Sequence, residues 1–261
     1  MFRKQQTDYW RCMDCRFRFG TPGINPNLGR TLDAYEDSYL QYLAPDPSDV
    51  PNLRSLCQWM ERFAPLQGRR LLDVGAGSGK LVRFLRSRGV AAHGIEPSTA
   101  LFDHFLAGDT AFTCALLDQF NATSARPFEI VTAFDVIEHV ADPVAFLREV
   151  RAALEPGGVL FLSTPDVESA GARLFGRWWH FYYPSHLSYF APRTLAHAAA
   201  RNGLSLLDCR HRGRLRSVSY MVRYAAEFIG RVRAPGWART FDTWYVPVNL
   251  FDTIYVAFRR D

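Results

Sequence analysis

The stretch that decides the fold of this chain is Leu71-Leu72-Asp73-Val74-Gly75-Ala76-Gly77-Ser78-Gly79-Lys80. Its pattern predicts a buried strand, a tight glycine loop and the start of a helix, which is how an open α/β sheet holds a nucleotide-like cofactor. The three glycines allow the backbone to approach a ligand without a Cβ atom in between. The sequence therefore predicts an α/β fold with a cofactor site at this loop.

The spacing of the glycines excludes two common nucleotide-binding motifs. A phosphate-binding P-loop requires G-x-x-x-x-G-K-[ST], but Val74 occupies the first glycine position and Leu81 follows Lys80. A dinucleotide fingerprint requires G-x-G-x-x-G, and counted from Gly75 its last glycine would fall on Lys80. What remains is the pattern D-x-G-x-G-x-G, which begins at Asp73.

Three further segments accompany the glycine loop. A second apolar strand, Ala91–Ile95, ends in Glu96, and an acid at this position can accept two hydrogen bonds from a ribose diol. A third segment covers residues 128–140 and a fourth covers residues 154–165. The alternation of strand and helix patterns predicts a parallel sheet flanked by helices.

Together, the four segments resemble the class I S-adenosylmethionine (SAM)-dependent methyltransferases in order and approximate spacing. The resemblance covers most of residues 8–259, and it implies a Rossmann-like, doubly wound α/β sheet of seven strands whose last strand is antiparallel. It also implies SAM as the cofactor. Residues 187–195 are similar to the ubiquinone-pathway O-methyltransferases and to many sugar and polysaccharide methyltransferases.

The resemblance further implies which residues contact SAM. The glycine loop would line the amino-acid and ribose portions, and Glu96 would bind the ribose diol, although NAD carries the same diol. Leu116 is expected near the adenine, where many relatives have an acid or a polar residue. The complete expected set is Asp73, Gly75, Ala76, Gly77, Gly79, Glu96, Pro97, Leu116, Phe134 and Asp135.

Two histidines are the predicted catalytic residues, because an imidazole can accept the proton that a methylated hydroxyl loses. His139 follows Glu138 in the loop after the fourth strand, and His186 lies in an aromatic stretch near His180. A purely structural role for Glu138 and His139 is also open, in which they attach their loop to neighbouring helices.

The aromatic stretch lies within residues 166–190, which we expect to cover the acceptor site. An anchor in a membrane interface is the competing interpretation. A lid is favoured, because the stretch lacks the long amphipathic helix of such anchors.

The N-terminal leader, residues 1–52, contains Cys12 and Cys15 in a Cys-x-x-Cys pattern. In many bacterial relatives a similar pair is the second half of a zinc ribbon, and the first half is missing here. A structural zinc site needs four ligands, so no metal site is predicted. The methyltransferase domain is expected over residues 53–261, with a C-terminal insertion at residues 213–247.

Composition limits the remaining functional classes. The chain has 261 residues, a net charge of +5 and five cysteines, and eleven arginines against five acids lie within residues 201–261. No apolar run of 18 residues and no apolar signal-peptide core occur. We therefore expect a cytoplasmic protein with no nucleic-acid partner and no transmembrane segment, while weak peripheral membrane contact stays open.

Local patterns predict further elements. Asp142 is a natural N-cap for a helix with Pro143 in its first turn and a stop near Gly157. The other expected elements are helices over residues 53–63, 192–201 and 221–232 and strands over residues 204–210 and 252–259.

The predicted function is SAM-dependent methyl transfer to a small-molecule or glycan-precursor acceptor, with oxygen preferred on family resemblance. Sugar C-methylation stays open because of the zinc-ribbon-like leader. Two functions of different classes also stay open, a nicotinamide-dependent oxidoreductase and an inactive SAM-binding assembly protein.

Overall fold

The computed structural model describes residues 2–4, 7–22, 43, 46–124, 126–224, 226 and 236–261 of the chain. Strands and helices alternate over residues 70–165. The strands are β1 (Phe2–Lys4), β2 (Thr7–Arg11), β3 (Arg18–Pro22), β4 (Arg70–Val74), β5 (Ala91–Ile95), β6 (Phe112–Thr113), β7 (Phe128–Phe134), β8 (Leu154–Pro165), β9 (Ser188–Tyr189), β10 (Leu204–His211), β11 (Arg214–Ser217), β12 (Tyr245–Val248) and β13 (Thr253–Arg260). The helices are α1 (Asp49–Met60), α2 (Lys80–Arg86), α3 (Thr99–Phe105), α4 (Leu117–Thr123), α5 (Pro143–Ala153), α6 (Ala170–Phe175), α7 (Pro192–Ala200) and α8 (Val218–Tyr224).

The central sheet has seven strands in the order β10-β13-β8-β7-β4-β5-β6. The neighbours from β8 to β6 pair in parallel, whereas β13 runs antiparallel to both β8 and β10. This confirms the predicted Rossmann-like sheet with an antiparallel last strand. The carboxyl ends of the parallel strands share one edge, where ligands of such sheets bind, so the loops after β4, β5, β6 and β7 lie together.

Apolar side chains cover both faces of this sheet, because adjacent residues of a strand point to opposite faces. Leu72 joins one buried cluster, which includes Leu147 of α5 and Leu195 of α7. Its neighbour Leu71 joins a second cluster, which includes Trp59 of α1. The two clusters hold helices on both faces and so fix the edge that carries the predicted site.

Helix α5 begins as predicted but ends early. The Asp142 carboxylate accepts hydrogen bonds from the N–H groups of Val144 and Ala145, both at 2.9 Å. The helix ends at Ala153, so the predicted stop near Gly157 is wrong. Gly157, with a φ of 77°, lies instead near the irregular start of β8, whose register with β7 shifts.

The other predicted elements are present with shifted ends. Helix α7 and strands β10 and β13 match their predicted ends to within one residue. Helix α1 begins earlier than predicted, at Asp49, where the Asp49 carboxylate accepts a hydrogen bond from the N–H of Asp46 at 2.8 Å. Helix α8 also begins early, at Val218, and positions 225 and 227–232 of the predicted helix lie outside the described residues.

A smaller sheet, in the order β1-β2-β3-β9, joins the leader to the segment 166–190. Tyr9 of β2 is buried in a third cluster with Trp179, Tyr182 and Tyr189. Its ring centroid lies 5.0 Å from that of Tyr182 and 5.7 Å from that of Tyr189. The leader therefore packs on the segment predicted to be a lid, while the domain boundary after residue 52 stays a prediction.

Candidate active site

The glycine loop between β4 and α2 has three residues with positive φ, namely Gly75 at 71°, Gly77 at 54° and Gly79 at 75°. A Cβ atom on Gly75 would lie 2.7 Å from the Val136 side chain, and one on Gly79 would lie 2.7 Å from Phe112. A Cβ atom on Gly77 would lie 3.7 Å from the Leu43 side chain. Packing thus requires glycine at the two outer positions, whereas a Cβ atom at Gly77 would make only an ordinary van der Waals contact with Leu43.

Glu96 is buried at the end of β5 and is bonded to the glycine loop. Its carboxylate accepts hydrogen bonds from the N–H groups of Gly77 and Ser98, both at 2.9 Å. Burial raises the pKa of Glu96 and outweighs these two donors, which act in the opposite direction. The N–H of Ala76 donates to the Ile95 carbonyl at 2.9 Å. The structure therefore brings the predicted ribose acid and the predicted loop together.

Asp73 is a second buried acid at this edge. Burial, with a smaller contribution from the Glu96 charge, raises its pKa to about 7, against the effect of a hydrogen bond from the Thr132 hydroxyl. The Thr132 hydroxyl donates to Oδ1 of Asp73 at 2.6 Å. Two neighbouring buried acids favour a ligand with positive charge. The sequence analysis missed Thr132, because its contact crosses from β7 to β4.

Asp135 follows β7 in a left-handed conformation, with a φ of 57°. Its Oδ1 accepts a hydrogen bond from the Ser163 hydroxyl at 2.6 Å, and its Oδ2 accepts one from Nη2 of Arg214 at 2.8 Å. Burial would raise the pKa of Asp135, but the Arg214 charge and these hydrogen bonds hold it below the usual value. Phe134, the preceding residue, packs against Tyr255 with ring centroids 5.9 Å apart.

The two predicted catalytic histidines are neighbours. The ring centroids of His139 and His186 lie 4.6 Å apart. Burial lowers the pKa of His139, and it lowers that of His186 to about 3, so both imidazoles are neutral near pH 7. His180 is close enough for its charge to lower the pKa of His186 further, and its Nε2 lies 3.5 Å from Asp252.

Glu138 attaches the loop after β7 to the segment around β9. It is buried, and its backbone carbonyl accepts hydrogen bonds from the N–H groups of Leu187 at 2.7 Å and Ser188 at 3.1 Å. Burial and the charge of Asp135 raise the pKa of Glu138 well above the usual value. The loop therefore makes a structural contact as well as carrying the candidate catalytic group His139.

The residues predicted near adenine and ribose follow β5 and β6, which are neighbours in the sheet. Pro97 is exposed, and the Leu116 side chain is also exposed just before α4. The Leu116 N–H donates to Oε1 of Gln119 at 3.1 Å. Both residues lie at the carboxyl edge of the parallel strands, and their contacts with SAM stay predictions.

A family model described as a methyltransferase domain matches residues 48–208, which is more than half of the chain. The chain belongs to this methyltransferase family. Class I methyltransferases use SAM as their cofactor, which agrees with the glycine loop and the strand order of the sheet. The match does not favour a nicotinamide-dependent oxidoreductase.

Sequence relatives of this methyltransferase include ubiquinone biosynthesis O-methyltransferases. The protein of Caulobacter vibrioides is 39% identical over 107 residues, which are 39% of this chain and 42% of that protein. The protein of Pseudomonas aeruginosa is 31% identical over 122 residues, which are 44% of this chain and 52% of that protein. The chain thus spans about half the length of the curated relatives it matches.

Solved structures confirm the fold of the methyltransferase. Magnesium protoporphyrin IX methyltransferase from Synechocystis PCC 6803 with bound SAH is 15% identical, with a TM-score of 0.56 over 89% of this chain and all of that chain. A SAM-dependent methyltransferase from Archaeoglobus fulgidus is 14% identical, with a TM-score of 0.54 over 81% of this chain and 94% of that one. At these identities the likeness concerns the fold alone.

Among the described residues, no helix combines the length and the apolar character needed to cross a bilayer.

Proposed function

We propose that this methyltransferase transfers the methyl group of SAM to a hydroxyl group of a small molecule or a glycan precursor. The observation that carries the proposal is the contact between the neutral imidazoles of His139 and His186 at the carboxyl edge of the sheet. Val136, which lies three residues before His139, reaches the glycine loop at Gly75. The candidate base and the candidate cofactor loop are therefore adjacent.

The cofactor would be held by the loop and the two buried acids. Glu96 would bind the ribose diol with the lone pairs that Gly77 and Ser98 leave free. Asp73 would favour the positive charge of the SAM amino-acid portion. The adenine would lie between the exposed residues Pro97 and Leu116.

The reaction needs an aligned oxygen and a proton acceptor, because SAM carries its own electrophile. The acceptor oxygen attacks the methyl carbon, a C–O bond forms, and the C–S bond breaks to release neutral S-adenosylhomocysteine (SAH). The hydroxyl proton passes to His139, because the imidazole of His186, with a pKa of about 3, is too weak a base near pH 7. Asp135, held by Ser163 and Arg214, would line the space between SAM and the acceptor.

The choice of oxygen is supported by the names of the curated relatives, which are ubiquinone biosynthesis O-methyltransferases. Their acceptor is not transferred to this chain, which spans about half of their length. A cytoplasmic location without a nucleic-acid partner is proposed on composition alone.

The test is an acceptor screen with phenols and sugars that measures SAH release. His139→Gln is expected to lower kcat by about 10²- to 10⁴-fold with little change in the SAM Kd. His104→Gln, a change at an exposed histidine, is the control and should behave as wild type. A panel acceptor methylated at carbon, or an unchanged kcat in His139→Gln, would contradict the proposal.

A further inference from the structure

We propose that the leader and the segment 166–190 together bind a phosphate ester whose organic part carries a planar ring, which is the chemistry of a nucleotide. A pocket of about 220 Å³ lies where the two parts meet, and it is lined by Arg11, Arg16, Arg18, Glu168 and Arg173. None of these residues belongs to the candidate active site or to the expected cofactor set. The site therefore goes beyond the proposed function.

The pocket carries an excess of positive charge. The acid in its lining, Glu168, is already bound, with Oε1 2.7 Å from Nη2 of Arg193. Among the described residues, the guanidinium groups of Arg11, Arg16 and Arg173 form no ion pair with a carboxylate. A guanidinium group can bind two phosphate oxygens through parallel hydrogen bonds, so this cluster of arginines suits a phosphate group.

Two of the arginines lie opposite each other in the hairpin of the leader. Arg11 of β2 pairs with Arg18 of β3 in the antiparallel register. Like charges directly opposite in a sheet are destabilising, and an anion bound between the two guanidinium groups offsets this repulsion. The pairing is therefore a second, independent indication of an anionic ligand.

Buried aromatic side chains hold this arginine pair in place. Nη1 of Arg18 donates a hydrogen bond to the Tyr182 hydroxyl at 2.7 Å. Tyr9 lies on the same face of β2 as Arg11, and its ring centroid is 5.0 Å from that of Tyr182. Since Tyr9 and Tyr182 are buried, little of the site has to be ordered when a ligand binds, which favours affinity.

A second pocket, of about 200 Å³, adjoins the first and shares Arg11 and Arg18 with it. Aromatic side chains supply the rest of its lining, namely Phe2, Tyr9, Trp10 and Tyr182. Aromatic side chains bind planar rings such as nucleobases by stacking. Pockets for a whole drug-sized ligand measure about 300–1,000 Å³, so each pocket fits one part of the ligand, the phosphate in the first and the ring in the second.

An anionic bilayer is the competing partner for this surface. Leu174, Phe175 and Trp178 are exposed and follow Arg173 closely in sequence, and arginines beside apolar side chains also suit a membrane interface. The arginines, however, line concave pockets, which a single phosphate group can enter and a bilayer surface cannot. Vesicles are therefore included in the test.

The test is calorimetric titration of the full chain with inorganic pyrophosphate, uridine diphosphate (UDP) and uridine, with excess SAH to fill the cofactor site. We expect UDP to bind more tightly than either other probe and to bind more weakly as salt is raised. Arg11→Gln combined with Arg173→Gln should weaken UDP binding at least about tenfold. The control, Arg54→Gln combined with Arg148→Gln, removes the same charge from exposed positions on α1 and α5 and should bind as wild type.

SAH titration of every variant shows whether it is folded. A chain that binds SAH but neither pyrophosphate nor UDP would overturn the phosphate site and leave the proposed function intact. Equal UDP affinity in the two double variants, equal affinity for UDP and uridine, or binding to phosphatidylglycerol vesicles without binding to UDP would also overturn it. If the Arg11 and Arg173 double variant fails to fold, Arg16→Gln, at an exposed turn position, replaces it with the same expected direction of change.

Discussion

Nη2 of Arg214 lies 2.8 Å from Oδ2 of Asp135, so a residue at the start of β11 neutralises the acid that follows β7. Nε of the same guanidinium donates to the Tyr255 hydroxyl at 3.0 Å. The two bonds connect β11, β13 and the predicted acceptor side of the site. This contact holds Asp135 ionised in its left-handed position.

Removal of Arg214 should affect both stability and pH dependence. Because the pKa of Asp135 is lowered on folding, its contribution to stability is present above 3.8, the ordinary value for this group, and is lost as pH falls through the folded pKa. The pair is partly exposed, so Arg214→Gln should cost about 0.5–1 kcal/mol near pH 7, and less in acid. Urea unfolding at several pH values measures this.

The matched control for Arg214 is Arg193→Gln, which breaks the surface pair of Arg193 with Glu168 at 2.7 Å. Both variants lose an ion pair, but only Arg214→Gln should raise the KM for the acceptor. Equal acceptor kinetics in the two variants would refute a role for Arg214 at the site.

Asp73 should make SAM binding depend on pH. Its pKa of about 7 means that it is largely protonated in weak acid, while a positively charged ligand favours the ionised form. SAM should therefore bind about five- to tenfold more weakly near pH 6 than near pH 7.5. Calorimetry at the two pH values should show this change in wild type and a smaller one in Asp73→Asn.

The same raised pKa has a consequence for the unliganded protein. The contribution of Asp73 to stability is complete below 3.8, its ordinary value, and is lost as pH rises through about 7. Asp73→Asn should remove this part of the pH dependence. A wild-type stability curve identical in shape to that of Asp73→Asn would show that Asp73 does not titrate as argued.

Glu96 should be needed for cofactor affinity. A glutamine offers one oxygen in place of two, so it cannot accept from both Gly77 and Ser98 as the carboxylate does. Hydrogen bonds to a charged group contribute about 1.5–3 kcal/mol, so Glu96→Gln should weaken SAH binding by about 10- to 100-fold. The control is Asp109→Asn, which should leave SAH affinity unchanged. The Asp109 carboxylate lies in a turn, where it accepts a hydrogen bond from the Ala111 N–H.

Tyr9 should stabilise the contact between the leader and the segment 166–190. Its side chain is 2% exposed, whereas that of the adjacent Trp10 is 38% exposed. Truncation of a large buried aromatic costs about 3–5 kcal/mol, so Tyr9→Ala should lower the melting temperature and speed proteolysis within the leader. Trp10→Ala should have a much smaller effect, and equal effects would contradict the proposed packing.

The sequence predicted the central sheet well, because buried parallel strands and a glycine loop leave strong local patterns. It placed Gly75, Gly79 and Glu96 at one edge from the order of the strands alone. It missed Thr132, Ser163 and Arg214, whose roles depend on contacts between strands that are distant in sequence.

Local patterns were less reliable at element ends and in the leader. The Gly157 prediction failed because a left-handed glycine fits an irregular strand start as well as a helix stop. The pairing of β3 with β9 was not foreseen, since Arg18 and Phe19 pair with Tyr189 and Ser188 across most of the chain. No short-range periodicity encodes such a contact.

The most direct test of the central claim is calorimetric titration of the purified protein with SAM and SAH, with NAD as the control ligand. Wild type should bind SAM and SAH saturably and NAD not at all. Gly77→Arg should lose this binding, whereas Gly108→Arg, at another glycine with positive φ and open space around it, should keep it. A wild-type protein that binds neither SAM nor SAH, or a Gly77→Arg variant that binds both normally, would contradict the account.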